Sequence, residues 1–525
     1  MGIGSAQVIV KIRAPLGATD VPGLLDDWEL PLRSLSVSNN LDSAGGHFVM
    51  ELAPEFRWPS ANRGMRVADL IKPTALVSIA LGRHGRGWGA TNAALPVMLG
   101  LVDRVSTSEL WAEASPFRSV IVEGRSLGGL LNDHHWWFHN YLALNGGVQV
   151  PPDVRQFFRN PSRADELDDE SALRQLGFLA IDDKLFDLAN RSPVALMKVA
   201  YDFFVVGDPK QSRAPFIKLK FGGLLGRDTE VRELPLAFRL RFDADAAQRS
   251  YVDRSARLAG QFMPVQMPEA SCWDLLRTFA EVPFTEIFAD TFGSTVDDAF
   301  VQIIVRKPPF AGHIDYAGET PFVTGSRPPS GSSLFDDEFG DWHRREQTIG
   351  FDHTAVVSEP SMTRGLEGAY SLYDVQPQLF ANAGSGTGDR FFSMSIPALP
   401  DIDEASPSYI QRIGIRPLRV PLRSIATLAE DNESPLPTGL IQARALSYAA
   451  LLYEWNYRNP DLWRGSYTFV GNPNVRVGKR LVDRDRRREF YVTAVLHSWQ
   501  AEDNVFRTSC AVSRGRDITS NRTVI

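Results

Sequence analysis

The sequence predicts a mainly β protein with α+β insertions, and three observations carry that reading. Both ends of the 525-residue chain alternate apolar and polar residues over short runs. Clusters of Asn, Asp, Ser and Gly separate those runs. Helical periodicity is concentrated in the middle and in one late segment. Short strands with no long helix between them point to antiparallel barrels or sandwiches. The length exceeds one ordinary domain, and composition shifts divide it into 1–130, an N-terminal β-barrel; 131–260, a helical or mixed insertion; 261–350, an α+β middle domain with a Pro/Gly/Ser-rich loop; and 351–525, a second β-barrel with a long helix over 439–457.

Each element has its own signal. "AQVIVKI" opens the chain as a strand. In "LRSLSVSNNLDSAGGHFVMEL", Leu35 and Val37 alternate with serines, an Asn/Asp/Ser/Gly turn follows, and Phe48, Met50 and Leu52 resume the period: an antiparallel hairpin. "TALVSIALG" repeats the pattern through Val77, Ile79 and Leu81, and "VMLGLVDRVSTSE" and "FRSVIVEGRS" add two strands. Further on, "SPVALMKVAYDFFVVGDP" reads as a helix stopped at Gly207 and Pro209. In "EASCWDLLRTFAEVPFTEIFADTF", Ser271 caps a short helix with Asp274 three positions on, Trp273, Leu276 and Phe279 or Ala280 form its apolar stripe, and Pro283 ends it. Phe284, Glu286 and Phe288 then alternate as a strand, with "AFVQIIVRKPPF" as the hairpin partner. The late helix presents Ile441, Ala445, Tyr448, Leu452 and Trp455 along one stripe. "GSYTFVGNPNVRVGKRLV", "REFYVTAVLHSWQ", the turn "AEDN" and "VFRTSCAVSRG" return the chain to strands.

Bulk properties exclude several functions. A net charge of −7 gives no basic face for sequence-specific nucleic-acid binding. Only Cys272 and Cys510 are present, which is neither a disulfide framework nor a zinc set. The chain reads as made and reduced in a cytoplasm. It has no apolar stretch long enough for a signal peptide or membrane span, and Ala6 stands where a myristoylation signal needs Ser or Thr.

One motif invites catalysis. Gly124, Ser126 and Gly128 in "VIVEGRSLGGLL" spell the G-x-S-x-G of a serine-hydrolase nucleophile elbow. That elbow belongs on a parallel sheet, whereas the preceding residues read as strand next to strand. The C-terminal histidines offered as partners are His353, in a turn, and His497, in a strand, on one face with Tyr491, Val495 and Trp499. A Gly-rich strand exit is the favoured reading and a Ser126 esterase the alternative. His135 and His139 in "NDHHWWFHNYL" have the i, i+4 spacing of helical metal ligands, but the intervening aromatics favour packing. Asp336, Asp337 and Glu338 lack the spacing of a calcium loop, and the glycines of "ANAGSGTGDR" lack the strand-loop-helix of a phosphate cradle. No catalytic residue, cofactor or metal is therefore expected.

The succession of segments resembles a family. The "LRSLSVSNN…HFVMEL" hairpin, "VMLGLVDRVSTSE" with "RSVIVEGRSLGGLL", the "WDLLRTFAEVPFTEIFAD" helix and strand, "IGIRPLRV", the late Ala-rich helix, and "NVRVGKRLV" through "FYVTAVLHSWQAEDNVFRTSCAVSRG" occur in the order found in central hub proteins of bacteriophage tail baseplates. Those are related to the first half of type VI secretion spike proteins. The resemblance implies two tail-tube-like barrels, with Val122, Gly124 and Leu127 as the exit of the first. It also implies a homotrimer whose six barrels form a pseudo-sixfold ring between a hexameric tail tube, or tube-initiator protein, and a trimeric spike. The ring would line a DNA channel, with an acidic wall easing passage of anionic DNA, and would sit in the virion tail, acting at genome ejection. Tape measure and baseplate wedge proteins would be further neighbours, the latter meeting the insertions at 131–260 and 326–341. Another β-rich assembly or binding protein is the remaining alternative.

Overall fold

The period-two segments fold as strands because an extended chain sends alternate side chains to opposite faces, so an alternating sequence buries one face and wets the other. The computed structural model describes residues 5–13, 24–25, 30–53, 67–85, 87–91, 93–112, 115–133, 135–137, 197–198, 201, 205, 218–221, 232–235, 239–244, 269–280, 286–306, 308, 348–381, 390–393, 399–422, 446, 448–450 and 452–518. The N-terminal strands are β1 (Ala6–Arg13), β2 (Leu24–Leu25), β3 (Leu32–Asn40), β4 (His47–Leu52), β5 (Leu76–Arg83), β6 (Leu95–Ala112) and β7 (Ser115–Ser126). They pair antiparallel in the order β2-β1-β5-β6-β7-β4-β3. Leu35, Val37, Phe48, Met50, Val77, Ile79, Leu81 and Val122 converge on one core.

The middle carries β8 (His135–Trp137), β9 (Lys218–Phe221), β10 (Arg232–Pro235), β11 (Leu240–Ala244), β12 (Glu269–Ser271), β13 (Glu286–Phe292) and β14 (Phe300–Arg306). The expected β13·β14 hairpin is present, and β11 adds a parallel third strand. Strand β13 does not alternate: Glu286 through Thr291 are all buried, so both of its faces are covered, whereas its partner β14 alternates. The capped helix is as read, Cys272–Phe279, with Ser271 Oγ accepting from the Asp274 amide at 3.0 Å. Its chief neighbours are β12 and the short helix Leu130–Asp133 rather than the hairpin. Strands β9 to β11 lie in the region read as helical or mixed, where, after the short helix Leu130–Asp133, the described α-helical residues are Met197, Lys198, Tyr201 and Arg239.

The C-terminal strands are β15 (Thr348–Phe351), β16 (Val356–Thr363), β17 (Leu372–Ala381), β18 (Arg390–Ser393), β19 (Leu399–Pro400), β20 (Pro417–Leu422), β21 (Trp463–Val470), β22 (Arg480–Asp483), β23 (Arg488–Gln500) and β24 (Val505–Asp517). Six of them run β15-β22-β23-β24-β21-β16 around a second core containing Phe351, Tyr467, Phe469, Phe490 and Val492. Of the late helix, residues 446, 448–450 and 452–456 are helical, with Tyr448, Leu452 and Trp455 buried as the stripe requires; its start lies outside the described residues.

Topology forces this second sheet to curl. Strands β15 and β16 occupy opposite edges yet are joined by residues 352–355 alone. A flat sheet of this width would separate them by about 24 Å, whereas the link reaches at most about 18 Å. The described pairings do not close either sheet into a hydrogen-bonded barrel, and the two are not separate. Thirteen-residue β23 serves two neighbours on one edge: Arg488–Tyr491 pair with β22, and Ala494–Gln500 pair with Asn40–Ser34 of β3. One 13-stranded sheet therefore runs through both halves. The β class and the largely antiparallel sheets are as expected, and the two expected barrels are unclosed sheets joined edge to edge among the described residues.

The halves repeat each other. Leaving out the two-residue β2, each contributes six strands, and in chain order both sheets run first, fourth, fifth, sixth, third, second. Even the irregularities coincide. In β6 the ladder slips between Val102 and Arg104, so that Val102 and Val105 both face the core; in β23 it slips between Val492 and Ala494, so that Val492 and Val495 do. A bulge inserts one residue and shifts the side-chain phase. The first strands differ, since β15 lies parallel to β22 where β1 is antiparallel to β5.

Candidate assembly surface

The G-x-S-x-G segment is the exit of β7, whose neighbours β4 and β6 are antiparallel. Both glycines answer to close packing. A Cβ on Gly124 would meet the Leu101 carbonyl oxygen at 2.1 Å and the Phe48 ring at 2.4 Å, and one on Gly128 would meet the Ala44 carbonyl oxygen at 1.8 Å. Ser126 is 3% exposed with an unstrained backbone (φ −59°, ψ 154°). Its Oγ accepts from the Gly128 amide at 3.3 Å and caps the turn Leu127–Gly129. The residue is thus a cap facing Gly45, in a strand exit as the sequence favoured.

The histidines are apart from it. His353 is exposed, and its Nδ1 meets Asp485 at 2.9 Å. His497 is buried with its Nδ1 3.0 Å from Thr508 Oγ1; burial, aided by the charge of Arg476, pushes it down to about 3. The expected alignment of Tyr491 with Val495 fails at the β23 bulge, and the Tyr491 hydroxyl instead donates to Glu286. His135 lies on strand β8, paired with Ser271, so the helical metal-ligand spacing does not form. His139, Asp336, Asp337, Glu338 and most of "ANAGSGTGDR" lie outside the described residues. Cys272 and Cys510 are free and buried, and burial pushes the Cys510 thiol up to about 12.

The prominent surface is the outer face of the continuous sheet where the halves meet. The alternation that buries Leu35 and Val37 turns Ser34, Ser36 and Ser38 outward, and their β23 partners are Gln500, Ser498 and Leu496. Ser466, Thr468 and Ser509 continue the face, and a groove of about 490 Å³ follows the seam between Ser38, Asn40, His47, Thr468 and Leu496. Short hydroxyls make the seam itself low and hydrogen-bonding, with longer charged groups on the flanking strands. Beside the seam, Arg104 pairs with Glu123 at 2.8 Å, and Arg125 with Asp103 at 3.1 Å and with Asp133. The signal for this face was present in the serines of "LRSLSVSNN", but strand periodicity alone does not say which strands share a face.

Behind the seam, charged groups lock the halves to the middle hairpin. Asp290, buried, accepts from Asn39 Nδ2 of β3 at 3.2 Å and faces Arg476 of the C-terminal half at 3.4 Å. Arg476 also donates to the Pro96 carbonyl at 2.6 Å. Farther into the C-terminal half, burial alone would raise Glu489, but the guanidiniums of Arg516 and Arg480 overcome it and hold its carboxyl below the usual range. Charges so paired and hydrogen-bonded fix one geometry of the elements that bear them.

No family model matches the chain, and no curated protein matches its sequence. Solved structures do match along nearly its whole length. They include the 43 kDa tail protein of prophage MuSo2 from Shewanella oneidensis, at 11% identity over 97% of this chain and 98% of that one, TM-score 0.42. The tail protein from Neisseria meningitidis MC58 matches at 10% identity over 96% of each chain, TM-score 0.41. A component of the type VI secretion system of E. coli, with structural similarity to T4 bacteriophage tail proteins gp27 and gp5, matches at 7% identity over 98% of this chain and 77% of that one, TM-score 0.32. The resemblance is to tail proteins. At such identities and scores the likeness carries no argument about role, so function must be argued from this chain's own geometry.

Proposed function

We propose that the chain is a structural hub of a bacteriophage-type tail baseplate, a homotrimer that joins a hexameric tail tube, or tube-initiator protein, to a trimeric spike. The observation that carries this reading is the duplication: one chain holds two curled sheets of the same strand order, already paired edge to edge through β3 and β23. A contact of one edge type with a different edge is heterologous, and repeating it generates a ring when the rotation closes. Three chains then offer six similar units to a sixfold partner and threefold symmetry to a spike. The domain division at 130, 260 and 350 belongs to the same proposal, with the barrels as ring units and the insertions facing tape measure or wedge proteins. The hydroxyl-rich face would line the channel, where DNA meets short neutral groups and paired charges rather than a lysine-rich wall that would retain it. The place of action would be the virion tail after synthesis in a host cytoplasm.

Light scattering on the purified chain, followed by two-dimensional averaging of electron micrographs, tests this. The expected result is a mass of three chains and a hollow ring of six lobes. A monodisperse monomer at micromolar concentration, unchanged across salt, counts against it.

A further inference from the structure

We infer that copies of this chain join by pairing the outer edge of β16 with the outer edge of the second half of β6, reproducing between chains the junction that β3 and β23 make within one. The inference rests on the ring reading above and names the interface that closes the ring.

The equivalence of the halves gives both partners. Within the chain, the second strand of the N-terminal unit, β3, lies on the fifth strand of the C-terminal unit, β23, beyond the Val492/Ala494 bulge and where β22 has ended. The second strand of the C-terminal unit is β16, and the fifth of the N-terminal unit is β6. Strand β6 has the same bulge at Val102/Arg104, and its pairing with β5 stops at Leu101, opposite Leu76. Among the described residues, β7 is the only strand paired with β6 past that point, and β21 the only one paired with β16. Two edges matching the joined pair thus lack a strand partner among the described residues, one at each end of the chain's double unit. Unpaired strand edges recruit further strands, and here the edge type that would fill each is carried by another copy.

The repeat also fixes the register. Pairing across β7 and β24 aligns Ser106 with Leu496, and pairing across β4 and β21 aligns Ser38 with Thr363. Since Leu496 lies opposite Ser38, Ser106 of one copy lies opposite Thr363 of the next, Thr107 opposite Met362, and Ser108 opposite Ser361. Thr107, Ser361 and Thr363 are exposed. Pro360, beside the β16 bulge between Ser358 and Ser361, has no amide hydrogen to offer, so the ladder begins at Ser361.

The test is a double-cysteine variant, Ser106→Cys with Thr363→Cys, oxidised and run on a non-reducing gel, with light scattering on the same sample before oxidation. Directly opposed strand residues lie within disulfide reach. The expected result is conversion of most chains into species of two and three chains, while each single variant and the off-register pair Ser106→Cys with Val357→Cys remain at one chain. Ser38→Cys with Leu496→Cys reports that the chemistry works, by forming the equivalent bridge inside one chain. A three-chain mass without cross-linking at Ser106 and Thr363 overturns this interface and leaves the hub reading standing. A one-chain mass overturns both.

Discussion

Gly128 and Ser126 lie two residues apart in one motif, and their environments assign them different jobs. Gly128 allows the turn to press on the Ala44 carbonyl, whereas the Ser126 hydroxyl supplies one long hydrogen bond. Gly128→Ala is therefore expected to cost about 1–3 kcal/mol or more through overpacking against backbone, and Ser126→Ala about 1 kcal/mol, measured by urea unfolding. Ser126→Ala should also leave background turnover of an activated ester unchanged; loss of a measurable activity would restore the esterase reading. At this scale the sequence could display the motif but not its surroundings, because Ala44 and Gly45 come from a different loop.

Among the elements, the helix Cys272–Phe279 was legible from residues alone: a cap, an acidic third position and an apolar stripe are all local, and Ser271 bonds both the amide and the carboxylate of Asp274. Ser271→Ala should lower stability by about 1 kcal/mol, while Ser271→Thr, which keeps the hydroxyl as acceptor and donor, should retain most of it; equal losses in thermal denaturation would contradict the cap. Most strands of both sheets were equally legible by period, but β15 and β16, which flank the turn at His353, were not read as strands. The bulges of β6 and β23 were not, since one inserted residue leaves the composition unchanged while reversing which side chains face inward. That reversal turns Tyr491 away from Val495 and toward Glu286, where it joins Arg306, itself bonded to Glu286 and to the Gly478 carbonyl.

For the whole molecule, the seam between the halves carries a titratable group. His497 lies opposite Val37 of β3, buried against Phe506 and Thr508. Its folded value is pushed down to about 3 from 6.5, so the unfolded chain binds the extra proton between those values. Stability from this group is complete above about pH 6.5 and is lost as pH falls toward 3, by a few kcal/mol in all. His497→Gln should flatten the fall of unfolding free energy with pH over that window relative to the parent. Parallel curves would show that the ring is not held neutral. Glu489, with its lowered carboxyl, acts in the same direction, its stabilising ion pairs with Arg480 and Arg516 fading as acid protonates it.

The sequence by itself determined the β class, most strands of the two sheets, the capped helix and the buried stripe of the late helix, because propensity, periodicity and capping act over a few neighbouring residues. Only the tertiary structure decided that β23 is shared between two partners, that the two sheets are one, that their strand orders repeat with bulge matching bulge, and which serines form a common face. Those facts arise from pairing between Ser34 and Gln500, or Asn39 and Asp290, groups separated by hundreds of residues, whose meeting depends on how whole sheets curl and pack rather than on any local pattern.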